Sequence, residues 1–151
     1  MRTSAFTLLE LVLTMVILGI LAAAVVPTTQ KIVKRGKELE LHRSLMEMRE
    51  AIDRFKKAAD AGLIDVPNQE QLGYPADFEE LLKGAPLAKE PSKTMRFLRR
   101  LPRDPMTGED KWGRRSVQDD PDSRSWGGEN LFDVYSLSDG IALDGTEYGL
   151  W

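Results

Sequence analysis

Glu10 is the side chain whose surroundings demand the most of its chemistry. It lies within residues 6–26, of which 17 of 21 are apolar. A carboxylate in a membrane helix costs on the order of 2.5 to 3.5 kcal/mol on insertion scales, so it either meets a cation or sits at the headgroup level in water. Its place near the start of the run permits both. Other reactive constellations are scarce. The chain has no Cys and a single His, His42, which removes disulfides, thiolate nucleophiles and sites built from Cys or clustered His. The stretch Gly108-Glu109-Asp110-Lys111-Trp112-Gly113-Arg114-Arg115 has the glycine spacing of a phosphate loop. It lacks the Lys-Ser/Thr ending and a preceding apolar strand, and reads as a turn entering a strand. No nucleophile elbow occurs, no Ser or Thr is tied to a base, and paired carboxylates such as Asp119 and Asp120 have no cleft to face across. The chain is read as a non-enzyme.

One stretch has the composition of a nucleic-acid surface: Arg96, Arg99, Arg100, Arg103, Lys111, Arg114 and Arg115, interleaved with Phe97 and Trp112. The net charge of -3 speaks against nucleic acid as the main partner. Charge is also divided along the chain. Residues 61–80 carry five acids and no base, residues 81–115 ten bases and four acids, and residues 116–151 eight acids against Arg124 alone. The basic block is therefore read first as the partner of the acidic tail, in the same chain or in a neighbouring copy.

The elements that must hold these groups begin with the apolar run. Residues 11–30 contain no charge, and 20 residues at 1.5 Å each reach roughly 30 Å, the thickness of a hydrocarbon core. A membrane helix over residues 6–27 is the expectation. A cleaved secretory signal is the rival, opposed by an n-region with only Arg2 and by the length of the run. Gly19 weakens the helix and Pro27 removes a backbone donor, so a bend or melted stretch is expected between them. Beyond it, Leu41, Leu45, Met48, Ile52, Phe55 and Ala59 form one stripe of an amphipathic helix ending near Gly62. Glu50 with Arg54 and Asp53 with Lys57 are i,i+4 pairs on its polar side, and His42 is expected to face solvent or another subunit. Pro and Gly then break the chain into short pieces. Residues 76–83 and 93–101 read as helical, residues 111–117 and 131–136 as strands. The fold class is α+β: a long helix over residues 6–60, membrane-spanning in its first half and amphipathic in its second, packed on a small antiparallel sheet of a head over residues 61–151.

Ala5-Phe6-Thr7-Leu8-Leu9-Glu10, followed by apolar residues as far as Pro27, resembles the signal of type IV pilins and type II secretion pseudopilins. Ala5 stands where that family usually has Gly. The head motifs Leu101-Pro102-Arg103-Asp104-Pro105, Trp112-Gly113, Phe132-Asp133-Val134-Tyr135-Ser136 and Ser138-Asp139-Gly140 are similar to those of the major pseudopilins of type II secretion systems. The head has no Cys pair of the kind that closes the C-terminal loop of many true pilins, which favours pseudopilin over pilin.

The resemblance implies a pilin-like fold with a leader over residues 1–5. A prepilin peptidase would cut after Ala5 and N-methylate Phe6. Glu10 would meet the N-terminal amine of a neighbouring subunit, and Gly19 and Pro27 would bracket a helix section that melts in the filament. The implied function is a homopolymeric pseudopilus subunit working with minor pseudopilins and an inner-membrane assembly platform. The subunit would pass the bacterial inner membrane once, with its head in the periplasm. A type IV pilin or a competence, DNA-uptake pseudopilin is the alternative, and a membrane-anchored binding or enzymatic domain with Glu10 incidental is the reading from another class. Lys31, Lys34, Arg35 and Lys37 after the apolar run, against Arg2 before it, would by the positive-inside tendency leave the head in the cytoplasm. Family relatives hold calcium in the loop after the last strand, where this chain offers Leu137, Asp139 and Asp144. The dipeptides Asp139-Gly140 and Asp144-Gly145 are equally those of metal-free turns.

Overall fold

The computed structural model describes residues 7–66 and 68–151, without the side chains of residues 24–28. The leader, Ala5 and Phe6 lie outside the described residues, as does the side chain of Pro27. The chain divides into two units, residues 1–36 and Lys37–Trp151.

Helix α1 is assigned over Leu8–Asp60, and its helical backbone passes through both Gly19 and Pro27. It starts on Thr7, whose Oγ1 accepts from the Glu10 N–H at 3.3 Å and whose carbonyl accepts from Leu11 at 3.2 Å. Thr-x-x-Glu is the sequence of a capping box, so Glu10 also marks the first turn. The helix ends in a Schellman motif: Leu63 N–H donates to the Ala58 carbonyl and Gly62 N–H to that of Ala59, both at 2.9 Å. Gly62 carries the φ of +65° that this closure needs.

In the first unit every large apolar side chain between Leu8 and Leu21 is exposed, Leu8 at 84% and Leu11 at 48%. Among the described residues no helix is long and apolar enough to cross a membrane. The expected span over residues 6–27 reaches past the described side chains at both ends.

In the second unit the stripe on α1 forms the core. Leu41, Leu45, Met48, Ile52 and Phe55 are at most 1% exposed, and Ala51 and Ala58 complete the face. Helix α2, Phe78–Lys83, starts on Asp77, whose carboxylate caps Glu80 N–H at 3.2 Å. It carries Leu81 into the core. The expected single sheet is resolved into two antiparallel two-stranded ones. Strands β1, Ala85–Pro86, and β2, Thr94–Met95, pair in the register Ala85 with Met95; β3, Gly113–Arg115, and β4, Asp133–Tyr135, pair with Arg114 opposite Val134. Gly113 is required by contact: a Cβ there would lie 2.3 Å from the Tyr135 ring.

The helix expected over residues 93–101 does not form. Thr94 and Met95 are taken into the ladder with β1, and the N–H groups of Phe97 and Leu98 both donate to the Leu81 carbonyl, at 3.1 and 3.0 Å. That carbonyl lies in the last turn of α2, where a helix leaves its acceptors unpaired. Tertiary hydrogen bonding here outweighs local propensity.

Candidate functional site

The first candidate is Glu10, exposed on the first turn of α1 amid exposed Leu8, Leu9, Leu11 and Leu13. No cation among the described residues pairs with it. The first half of the helix thus presents a carboxylate on an apolar surface to whatever surrounds it.

The second candidate is the C-terminal loop and its attachment to α1. Glu38, whose role the apolar stripe did not foretell, is buried on the helix. Its Oε1 accepts from the Leu143 N–H and from the Tyr148 hydroxyl, both at 2.9 Å. Burial, and then the hydrogen bond to Glu38, push the Tyr148 hydroxyl up to about 12. Arg49 donates to Asp133 Oδ1 at 2.7 Å, to the Val134 carbonyl at 3.1 Å and to the Trp151 backbone oxygen at 2.5 Å. Arg115, 4% exposed, reaches Asp133 Oδ2 at 3.5 Å and the Ser123 and Gly149 carbonyls at 2.9 Å, and lies 4.1 Å from the Tyr135 ring centre. Asp133 therefore stands between two guanidinium groups. His42, on the exposed side of α1, stacks on Trp151 with ring centres 4.1 Å apart.

The three residues of the calcium expectation share one loop. Leu137 is exposed. Asp139 Oδ1 accepts from Arg124 at 2.9 Å, and the same guanidinium holds Glu147 at 2.8 Å. Asp144 Oδ1 accepts from the Thr146 hydroxyl at 2.7 Å and its N–H at 2.9 Å, which holds this carboxyl below the usual carboxylate range. Among the described residues no group of three or more acidic, His or Cys side chains converges on one point. Arg124 supplies the countercharge to Asp139 and Glu147.

The basic stretch does not build a stacking surface. Phe97 and Trp112 are buried in the core, with Trp112 Nε1 donating to the Pro102 carbonyl at 2.9 Å. Arg115 is buried as described, and Arg114 lies 3.7 Å from the Trp126 ring centre. The glycine-spaced segment is a turn, Gly108 N–H donating to Asp104 and Asp104 N–H to Glu109, each at 2.8 Å. Of the two expected i,i+4 pairs, Glu50 and Arg54 approach to 3.7 Å; Lys56 with Asp60 forms where Asp53 with Lys57 was expected.

Residues 1–26 match a family model described as the prokaryotic N-terminal methylation motif. That motif, joined to a long helix and a small α+β head, defines a prepilin-type subunit. The chain is also 31% identical to type II secretion system core protein G of Klebsiella pneumoniae over 160 aligned positions, covering 99% of this chain and 95% of that protein. It belongs to the type II secretion system core protein G family, the major pseudopilins. No solved structure matches the chain.

Proposed function

We propose that the chain is a non-enzymatic structural subunit that polymerises into the pseudopilus of a type II secretion-like system. The observation that carries this is the end-to-end similarity to core protein G, which spans both the methylation motif and the head. Processing after Ala5, methylation of Phe6, residence in the inner membrane as a single-pass protein and a periplasmic head belong to the same reading. So do its partners: the prepilin peptidase, the assembly platform and minor pseudopilins. The all-round apolar layout of the first half of α1 supports it, because such a helix is stable only when buried in lipid or among other helices. Glu10 then meets the N-terminal amine of a neighbour, giving the buried carboxylate its partner. Melting between Gly19 and Pro27 is proposed for the assembled subunit, where the carbonyl left unpaired by Pro27 helps release a turn.

Glu10→Ala is the deciding variant. It is expected to give a processed, folded subunit absent from sheared filaments, whereas filaments at the normal level would refute the reading. A reporter fused after Trp151 and active only in the cytoplasm would overturn the periplasmic head. A DNA-uptake role is the second reading. It is disfavoured by the burial of Phe97 and Trp112, and salt-sensitive binding of single-stranded DNA by the purified chain would revive it.

Calcium in the C-terminal loop is a separate proposal. Leu137 through its carbonyl, with Asp139 and Asp144, would hold it in place of Arg124, and the ion would stiffen the loop. Calcium should then raise the Tm of the full chain, and more so in Arg124→Gln; a Tm indifferent to both calcium and chelator rejects the site.

A further inference from the structure

At the C-terminal end of α1 the head carries an open groove of about 360 Å³. Its floor is apolar, from Ala58, Leu63 and Met95, and its rim is cationic, from Arg54, Lys57 and Arg96. Leu63 is 51% exposed. Arg54 is engaged with Glu50 at 3.7 Å and with the Phe97 carbonyl at 3.0 Å; Lys57 and Arg96 make no ion pair among the described residues. This is an apolar surface ringed by cations, and its complement is an apolar surface that carries acids.

The chain owns such a surface. The loop from Leu137 to Asp144 exposes Leu137, Ile141 and Leu143 at 45 to 57% and carries Asp139 and Asp144. Arg124 balances Asp139, and Asp144 leaves the calcium-free loop acidic, which is the form of the loop meant here. The two surfaces lie at different heights on α1. The loop is tied to Glu38 and the groove is built on Arg54, Lys57 and Ala58. Nineteen residues separate Glu38 from Lys57, a rise of roughly 28 Å along the helix. One chain therefore cannot bring its own loop to its own groove. Between parallel copies, two unlike surfaces displaced along an axis make a heterologous contact that repeats along a filament; the antiparallel alternative closes as a reciprocal dimer and gives no ladder above two subunits.

We infer that the groove of one head receives the 137–144 loop of a second copy of this chain, so that heads as well as apolar helices carry subunit contacts along the filament. The inference rests on the assembly reading above and names the head surfaces it would use.

The test exploits the absence of native Cys. Leu63→Cys and Ile141→Cys placed in one chain give a single defined thiol pair, with Lys57→Cys and Leu143→Cys as an independent second pair. Sheared filaments are oxidised and run on a denaturing gel without reductant. A ladder at multiples of the subunit mass is expected from both double variants, and monomer from chains carrying one Cys. Lys57→Glu with Arg96→Glu in the first double variant should lower the ladder yield about tenfold. Filaments that assemble but give no ladder overturn the contact and leave assembly intact. Failure of the unmodified chain to form filaments overturns the assembly reading itself. Adducts at other masses assign the groove to a different protein and overturn the contact.

Discussion

The two halves of α1 share one helical backbone and differ in how apolar residues are laid around it. Between Leu8 and Leu21 they occupy every face and stay about half exposed or more. Between Leu41 and Ala58 they recur at intervals of three and four, and at these positions exposure falls to 5% or less. A stripe can be satisfied by one packed partner, whereas an all-round layout needs a surrounding medium of lipid or other helices. The head supplies the partner for the second half, whereas the described large apolar side chains of the first half are exposed. Identical substitutions in the two halves should therefore have unequal consequences for the folding of the head.

The largest expected effect lies in the stripe. Phe55, fully buried against Phe97 with ring centres 5.0 Å apart, anchors the middle of the core. Phe55→Ala should lower head stability by about 4 kcal/mol, read as a reduced urea midpoint for the full chain in detergent. A midpoint unchanged from the parent would mean that the head does not depend on the helix.

Next come the charges that fasten the last strand to the helix. Asp133→Ala leaves Arg115 buried and Arg49 without its carboxylate. The loss should be about 3 kcal/mol by the same measurement, since an uncompensated buried charge remains. Asp133→Asn, which keeps the shape and some hydrogen bonding, should lose less.

The attachment of the C-terminal loop should appear in the alkaline pH dependence. Below pH 10 the Tyr148 hydroxyl is protonated in both folded and unfolded chains. Between 10 and its folded value of about 12 the unfolded chain releases the proton while the folded one retains it. Stability from this group is thus full below pH 10 and is lost as pH rises toward 12. Tyr148→Phe should flatten that limb of the stability profile and lower stability at neutral pH by removing the bond to Glu38. An alkaline limb of unchanged steepness in the variant would place the titration elsewhere.

A smaller effect is expected where α1 stops. Nothing lies within 4 Å of a Cβ built on Gly62, so Gly62→Ala meets only the penalty of φ +65°. That should be about 1 kcal/mol, and Gly62→Asn should restore part of it.

Which parts of this molecule were legible in the sequence follows from how locally they are determined. The stripe from Leu41 to Phe55 and the stop near Gly62 are properties of spacing and of one residue's φ, and both appear where spacing puts them. Strands β3 and β4 fall inside the expected segments but are shorter, because pairing is limited by register with the other strand. The segment 93–101 departs from its local helical propensity because its structure is fixed by the distant Leu81 carbonyl and by β1. Glu38 was illegible for a related reason: a carboxylate on a helix reads as solvated until Leu143 and Tyr148, more than 100 residues later, are brought to it. Glu10 is the reverse case, conspicuous in the sequence and without a partner among the described residues.

The sharpest form of the comparison is the smallest expected effect. Leu13, 56% exposed in the first half of α1, and Leu45, 1% exposed in the second, differ in setting and not in chemistry. Leu45→Ala should lower head stability by about 3 kcal/mol, through lost burial and the cavity left among packed neighbours. Leu13→Ala removes the same atoms from an exposed position, and should leave the urea midpoint within the roughly 0.5 kcal/mol scatter of surface substitutions. Equal losses at the two positions would mean that the first half of the helix packs within the chain, and the division of labour along α1 would have to be abandoned. A loss confined to Leu45, together with fewer filaments for Leu13→Ala, would locate the work of the first half in contacts between chains.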